Sequence, residues 1–251
     1  VKTGDEVDLG TRRLQFIEAP MLHWPDSMFT YLKKDRVLMP NDAFGQHIAT
    51  SQRFDDEVYG VEDIMGEAAK YYANILMPLA PLISKKIDEV KKMDLAIDMI
   101  APSHGIIWRS NPQKIVEAYV QWSEGHAENK AVIVYDTMWN STDKMARAVL
   151  NGISAEGVRV RLFHLRRSDL SEIMKEILES KAVLIGSPTL NNDMFPTVAS
   201  FLTYLRGLKP KEKLFVSFGS YGWGGGAVKA INEELKNTGF KVLEPGLQIQ
   251  Y

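Results

Sequence analysis

Three loops in the C-terminal half of the chain combine hydroxyl, amide, aromatic and glycine residues in a way that suits a phosphorylated aromatic ligand. Loop 1 (residues 136–143) contains Thr137, Met138, Trp139, Asn140, Ser141 and Thr142. Loop 2 (residues 187–193) contains Pro188, Thr189, Leu190, Asn191 and Asn192. Loop 3 (residues 220–226) contains Ser220, Tyr221, Gly222, Trp223 and Gly224.

Each loop offers one part of such a binding site. The hydroxyl groups of loop 1 lie beside a predicted helix, whose first backbone N–H groups and dipole favour a phosphate. The asparagines of loop 2 can hydrogen-bond the edge of an isoalloxazine ring. The glycines of loop 3 let the backbone approach a ligand, and Tyr221 or Trp223 can cover a ring face.

Each loop also has a plain structural interpretation. Ser141 or Thr142 could be an ordinary helix N-cap, the residues of loop 2 could form a tight turn, and loop 3 could be a mobile connection. The three loops together favour ligand binding, because each is predicted to follow a strand at the same edge of one sheet.

Histidine and aspartate residues in the first half of the chain could bind a metal. His23, Asp42 and His104 lie in separate polar segments, and His23 and His104 each follow a predicted strand. Two imidazoles and a carboxylate suit a divalent metal such as iron. The alternative is that these histidines are solvated surface residues. His47 is expected to make local hydrogen bonds or to support the metal ligands.

Alternating strands and helices in the second half predict an α/β fold, with a parallel sheet covered by helices on both faces. The predicted strands span residues 131–135, 158–164, 182–186 and 214–218. The predicted helices span residues 144–154, 170–178, 198–205 and 227–236.

The first half is less regular. Short strands separated by loops are predicted at residues 14–17, 36–39 and 97–100. One long helix is predicted at residues 61–77, broken by Pro78 and Pro81, and further helices at 82–93 and 112–122. The polar segment 124–129 is the predicted boundary between a domain of residues 1–126 and a domain of residues 127–251.

Composition excludes several classes of protein. Of the 251 residues, 45% are hydrophobic and 25% are charged, and the formal net charge is -2. Such a chain gains little from a phosphate backbone, so nucleic-acid binding is not expected. The absence of cysteine excludes disulfides and thiolate metal ligands. Without a membrane-length apolar run or a signal-peptide pattern, the chain is expected to be cytoplasmic and to bind no membrane.

The loop sequences resemble those of the flavodiiron family. The strings YDTMW at 135–139, GSPTLNN at 186–192 and GSYGWG at 219–224 closely match its flavodoxin-like FMN domain. Asn140 stands where a glycine is expected, and Asn tolerates similar backbone angles. The resemblance implies a flavodoxin-like doubly wound parallel sheet that binds FMN. It also implies that the C-terminal part of a metallo-β-lactamase-like αββα domain precedes this sheet.

The same resemblance implies a metal site. In the family, a di-iron centre is completed by a histidine, by an aspartate separated from it by eighteen residues, and by a distant second histidine. His23, Asp42 and His104 match this pattern. By resemblance, His23 would bind one iron, His104 the other, and Asp42 would bridge them. The family's other ligands come from an earlier His-x-Glu-x-Asp-His motif, which this sequence lacks. The chain is therefore expected to be part of a longer protein and to supply an incomplete site.

A reductase activity follows from the resemblance. FMN would receive electrons from rubredoxin or a reduced deazaflavin and pass them to two non-haem irons, which reduce dioxygen to water or nitric oxide to nitrous oxide. A head-to-tail homodimer or a tetramer would bring the FMN of one chain to the irons of another. Two alternatives stay open: an electron-transfer flavodoxin or quinone reductase without a working metal site, and a metallohydrolase of the β-lactamase type.

Overall fold

The computed structural model describes residues 1–58 and 61–251. Contacts divide the chain into two compact units, Val1–Glu124 and Gly125–Tyr251. Within the described ranges, no helix combines the length and the apolar character that crossing a membrane requires.

The first unit is built on a mostly antiparallel sheet. Its described residues form the strands β1 (Glu6–Asp8), β2 (Arg13–Glu18), β3 (Met28–Leu32), β4 (Val37–Met39) and β5 (Met99–Ile100). Strands β1 to β4 pair antiparallel in chain order, and β5 joins β4 in parallel. Helices of this unit are α1 (Val61–Tyr71), α2 (Ala80–Lys92) and α3 (Pro112–Glu124).

The loop predicted between the strands at residues 14–17 and 36–39 is wrong, because part of it is a strand. Met28–Leu32 forms β3, which pairs with both β2 and β4 inside the sheet. Phe29 and Tyr31 are buried while their neighbours are less so, which is the two-residue period of a strand with one buried face.

The predicted helix over residues 61–77 is wrong in its second part. The α-helix ends at Tyr71, and a π-helical turn (Tyr72–Leu76) and a 3-10 turn (Met77–Leu79) lead into α2. Pro81 lies in the first turn of α2 and does not interrupt it, because backbone N–H groups at that position have no partner inside a helix. The change of helical period accompanies burial of two consecutive tyrosines, Tyr71 and Tyr72.

The second unit is a doubly wound parallel sheet, as predicted. Residues 125–251, all of them described, contain the strands β6 (Glu128–Tyr135), β7 (Arg159–His164), β8 (Ser180–Pro188), β9 (Leu214–Tyr221) and β10 (Lys241–Gln250). The helices are α4 (Ser141–Ala155), α5 (Leu170–Leu178), α6 (Pro196–Leu208) and α7 (Ala227–Asn237).

The order of the strands decides where a ligand can bind. The order is β10-β9-β8-β6-β7, and every neighbouring pair is parallel. From β6 the chain first adds β7 on one side and then crosses to β8 on the other. Open parallel sheets bind ligands outside the carboxyl ends of the strands at such a reversal. Loops 1 and 2 follow β6 and β8 at this point.

Lys213 is buried at the opposite, amino-terminal end of this sheet, directly before β9. Its Nζ donates a hydrogen bond to the carbonyl oxygen of Leu178 (2.8 Å). Burial lowers the pKa of Lys213 from 10.5 to about 8; Lys130 adds to this lowering, while Glu179 and Glu212 oppose it. Between these two pKa values the unfolded chain binds more protons than the folded chain does.

We therefore expect the free energy of unfolding to rise between about pH 8 and pH 10, by up to roughly 2 kcal/mol from this residue. Lys213→Met removes the titrating group and should reduce the rise. Lys211→Met, at an exposed neighbouring position, should leave it unchanged. Urea unfolding across this pH range measures the slope, and equal slopes for wild type and Lys213→Met would contradict the assignment.

Candidate functional site

A cleft of about 410 Å³ opens between the three loops at the carboxyl-terminal edge of the parallel sheet. It is lined by Met138, Trp139, Ser141, Pro188, Thr189, Leu190, Asn191, Asn192, Ser220, Tyr221, Gly222, Trp223, Gly224 and Tyr251. Three of the residues predicted to bind FMN are outside this lining: Thr137, Asn140 and Thr142. Tyr251 lines the cleft and was not predicted to do so. The loops meet because parallel strands end at one edge of their sheet.

Buried polar contacts hold the three loops together. The hydroxyl oxygens of Thr142 in loop 1 and Ser220 in loop 3 lie 2.9 Å apart, and both residues are buried. The hydroxyl of Thr189 in loop 2 accepts a hydrogen bond from the backbone N–H of Gly226 in loop 3 (3.2 Å). A Cβ on Gly226 would lie 2.0 Å from the carbonyl oxygen of Asn192, so only glycine allows this approach. These contacts hold the three loops in one arrangement around the cleft.

The structure at the start of α4 differs from the prediction that Ser141 or Thr142 is the helix N-cap. Asn140 has a left-handed φ of 66°, as its resemblance to a glycine position suggested. Asn140 is the N-cap residue, and among the described residues its side chain makes no capping hydrogen bond. Thr142 lies inside the first turn and contacts Ser220, while Ser141 lines the cleft. The ordinary N-cap interpretation of Ser141 and Thr142 is therefore wrong.

The donors around this cleft fit FMN. The Oγ1 atom of Thr137 is buried and has no hydrogen-bond partner in the described part of the chain, which is costly unless a ligand supplies one. It lies in the loop that leads into α4, where backbone N–H groups favour a phosphate. Trp139 and Trp223 are 77% and 99% exposed, which leaves both indole rings free for an aromatic ligand.

The three predicted metal ligands lie together in the first unit. Asp42 is buried, its Oδ2 lies 3.4 Å from His23 Nε2, and its Oδ1 lies 3.1 Å from His104 Nε2. The Ser103 hydroxyl donates a hydrogen bond to Oδ1 (3.1 Å). Within residues 1–58 and 61–251, no three histidine or carboxylate side chains surround one metal position. The set fits a carboxylate between two metal positions, each with one histidine and each short of a full ligand set.

Gln46 joins the segments that carry Asp42 and His104. Its side chain donates a hydrogen bond to the carbonyl oxygen of Ile106 (3.2 Å) and accepts one from the Ile106 N–H (2.7 Å). Gly105 has a φ of 81°, and a Cβ there would lie 1.4 Å from the Gln46 side-chain oxygen. The position of His104 relative to Asp42 therefore depends on a glutamine and a glycine.

Comparison with known proteins matches both halves of the chain. A family model described as flavodoxin matches residues 133–251, and a model described as ODP family beta lactamase matches residues 1–105. A nitric oxide reductase of Moorella thermoacetica is 59% identical over 252 residues, covering 100% of this chain and 63% of that protein.

Two solved structures also match. The rubredoxin oxygen:oxidoreductase of Desulfovibrio gigas has a TM-score of 0.95 and 40% identity, covering 100% of this chain and 63% of that one. The flavodiiron protein of Giardia intestinalis has a TM-score of 0.95 and 36% identity, covering 100% and 62%.

The chain belongs to the flavodiiron family. It spans less than two thirds of the length of these relatives. The predicted fold class, a flavodoxin-like sheet preceded by part of a metallo-β-lactamase-like domain, is confirmed. Family membership implies FMN and non-haem iron as cofactors.

Two aromatic side chains lie beside the predicted metal ligand His104: His47, which was expected to have a supporting role, and Tyr71, which sequence reasoning missed. The His47 ring lies 5.4 Å from the His104 ring and 5.0 Å from the Tyr71 ring, measured between centroids. Burial, and then the charge of Asp42, raise the pKa of Tyr71 to about 12, so its hydroxyl keeps its proton at neutral pH. Tyr71 gave no sequence signal, because an aromatic residue at the end of an amphipathic helix is ordinarily part of a core.

Proposed function

We propose that the protein containing this chain passes electrons from FMN to a non-haem di-iron centre that reduces dioxygen to water, nitric oxide to nitrous oxide, or both. The observation that carries the proposal is the position of Asp42, whose two carboxylate oxygens face two different histidines. A carboxylate that bridges two metals needs this arrangement, and a protein that only transfers electrons through a flavin does not.

The flavin site assigns a separate role to each loop. The Thr137 hydroxyl and the backbone N–H groups at the start of α4 hold the phosphate. The amides of Asn191 and Asn192 orient the ring edge, and Tyr221 or Trp223 shields the ring face from water. Bound FMN would take up electrons from the donor, singly or in pairs according to the donor, and release them one at a time.

In the metal site, His23 and His104 would each hold one iron, and Asp42 would be a ligand shared by the two. The Ser103 hydroxyl, 3.1 Å from Asp42 Oδ1, orients the carboxylate as hydrogen-bonded partners of metal ligands usually do. Bound iron would supply the site at which the gas is reduced. His23, Asp42 and His104 would be part of a larger ligand set.

Electron donors and assembly belong to the same proposal. Rubredoxin or a reduced deazaflavin supplies the electrons, and the name of the Desulfovibrio gigas relative supports rubredoxin. A head-to-tail homodimer or a tetramer brings flavin and iron of different chains together. A cytoplasmic location stays a prediction from the sequence.

The test is an absorption spectrum of the full-length protein, combined with elemental analysis and turnover of dioxygen and nitric oxide. Flavin bands together with iron and reduction of either gas support the proposal. Flavin bands without iron favour the electron-transfer or quinone-reductase alternative. Zinc without flavin favours the metallohydrolase.

Thr137→Val keeps the shape of the side chain and removes the buried hydroxyl. We expect FMN affinity to fall roughly tenfold, because one hydrogen bond to a charged phosphate is lost. Riboflavin affinity should not change, since riboflavin has no phosphate. Quenching of flavin fluorescence measures both, with Thr203→Val on the exposed face of α6 as the control. Equal losses of affinity for FMN and for riboflavin would contradict a contact between Thr137 and the phosphate.

A further inference from the structure

A buried carboxylate lies at the base of loop 1. Asp136 directly follows β6 and is 0% exposed. Its Oδ1 accepts a hydrogen bond from the backbone N–H of Thr137 (2.6 Å), and its Oδ2 accepts one from the hydroxyl of Thr197 in the first turn of α6 (2.5 Å). Asp136 thus connects loop 1 to the helix that follows loop 2.

Arg166 completes this contact from a third element, the 3-10 turn Leu165–Arg167 after β7. Its Nε donates a hydrogen bond to Asp136 Oδ1 (2.9 Å), and its Nη2 donates one to the carbonyl oxygen of Thr137 (2.5 Å). Asp136 therefore fixes the N–H side of Thr137 while Arg166 fixes the carbonyl side. The orientation of the unpartnered Thr137 hydroxyl depends on both contacts.

Charge gives Arg166 a second effect. Loop 1 contains no basic residue, and it carries the buried Asp136 close to the group that would bind a phosphate. An unpaired buried carboxylate would repel a phosphate. The Arg166 guanidinium lies 2.9 Å from Asp136 Oδ1, and among the described residues His164 Nε2 also approaches this oxygen, at 3.7 Å. Half of the Arg166 side chain is exposed, so its charge stays in contact with water and the desolvation cost of folding is small.

We propose that Arg166 is a positioning residue for the flavin phosphate. Paired with Asp136, it holds loop 1 in its binding conformation and neutralises the carboxylate beneath it. The inference rests on the proposed function of loop 1 as the FMN phosphate site. It predicts that Arg166 sets the preference of the protein for FMN over riboflavin, which differs from FMN in the phosphate alone.

The experiment compares dissociation constants of FMN and riboflavin for wild type, Arg166→Met, Arg166→Lys and Arg167→Met, measured by quenching of flavin fluorescence in the full-length protein. For Arg166→Met we expect FMN affinity to fall by roughly 10- to 100-fold, since two charge-assisted hydrogen bonds are lost, with riboflavin affinity unchanged. Lysine can replace only one of the two bonds, so Arg166→Lys should be intermediate. Arg167→Met removes the same charge from the exposed neighbouring residue and should change neither affinity.

Other outcomes separate this inference from the proposed function. FMN affinity equal to wild type in Arg166→Met would overturn the inference, and so would equal losses for FMN and riboflavin, which indicate a general structural role. Either result leaves the flavin function in place. A wild-type protein that binds neither flavin would remove the proposed function, and this inference with it.

Discussion

Gly219→Ala should lower the free energy of unfolding by about 3 kcal/mol, the upper part of the range for overpacked interiors. A Cβ on Gly219 would lie 2.3 Å from the backbone carbonyl oxygen of Ser187, which pairs with Gly219 across β8 and β9. Both strands lie inside the sheet, so neither backbone can move alone. On its other side the Cβ would meet the Val228 side chain of α7 at 3.3 Å.

Gly152→Ala is the matched control, because it makes the same chemical change with the opposite expected sign. Gly152 lies within α4, and a Cβ there would have no heavy atom of the described residues within 4 Å, apart from its own helical surroundings. Replacing a helical glycine by alanine stabilises by about 0.5–1 kcal/mol. Urea unfolding followed by circular dichroism measures both variants.

Gly219→Ala should also weaken FMN binding, because Ser187 is the first residue of loop 2 and Gly219 directly precedes loop 3. A Gly219→Ala variant as stable as wild type would contradict the close approach of β8 and β9 at Ser187 and Gly219. The close contact between the loops would then be wrong as well.

Asp42→Ala in the full-length protein should abolish turnover of dioxygen and nitric oxide and remove most of the iron. Loss of a hydrogen-bonded partner of a metal ligand typically costs about 10- to 100-fold in metal affinity, and loss of a bridging ligand should cost at least as much. Loss of Asp42 is expected to affect both proposed metal positions, since each of its oxygens faces a different histidine.

Two further variants make the Asp42 result specific. Ser103→Ala removes the hydrogen bond to Asp42 Oδ1 and should cause a smaller loss of iron, while Asp26→Ala removes an exposed carboxylate near His23 and should cause none. Elemental analysis gives the iron content, and circular dichroism reports whether each variant is folded. Full iron content in Asp42→Ala would rule out the bridging role.

The parallel sheet could be predicted from the sequence because its strands are buried on both faces. Val132, Ile133 and Val134 of β6 are 0% exposed and form a continuous apolar run, which is a strong signal. Strand β3 gave a weaker signal, because only Phe29 and Tyr31 are buried and polar or partly exposed residues separate them. The π-helical turn after Tyr71, which coincides with the burial of two consecutive tyrosines, gave none.

The sequence by itself determined the α/β fold of the second half, the positions of the three loops at one sheet edge and the choice of His23, Asp42 and His104 as candidate ligands. Residue type and spacing along the chain are sufficient for these conclusions. The resemblance to the flavodiiron family added the roles.

Only the tertiary structure decided how these residues are arranged. Asp42 turns one oxygen to His23 and the other to His104, Thr142 contacts Ser220, and Arg166 binds Asp136. Each of these contacts joins residues that are far apart in the sequence. Such contacts arise when separate elements pack together. Local spacing carries no signal for them, because the chain between the partners can fold in many ways without changing either residue.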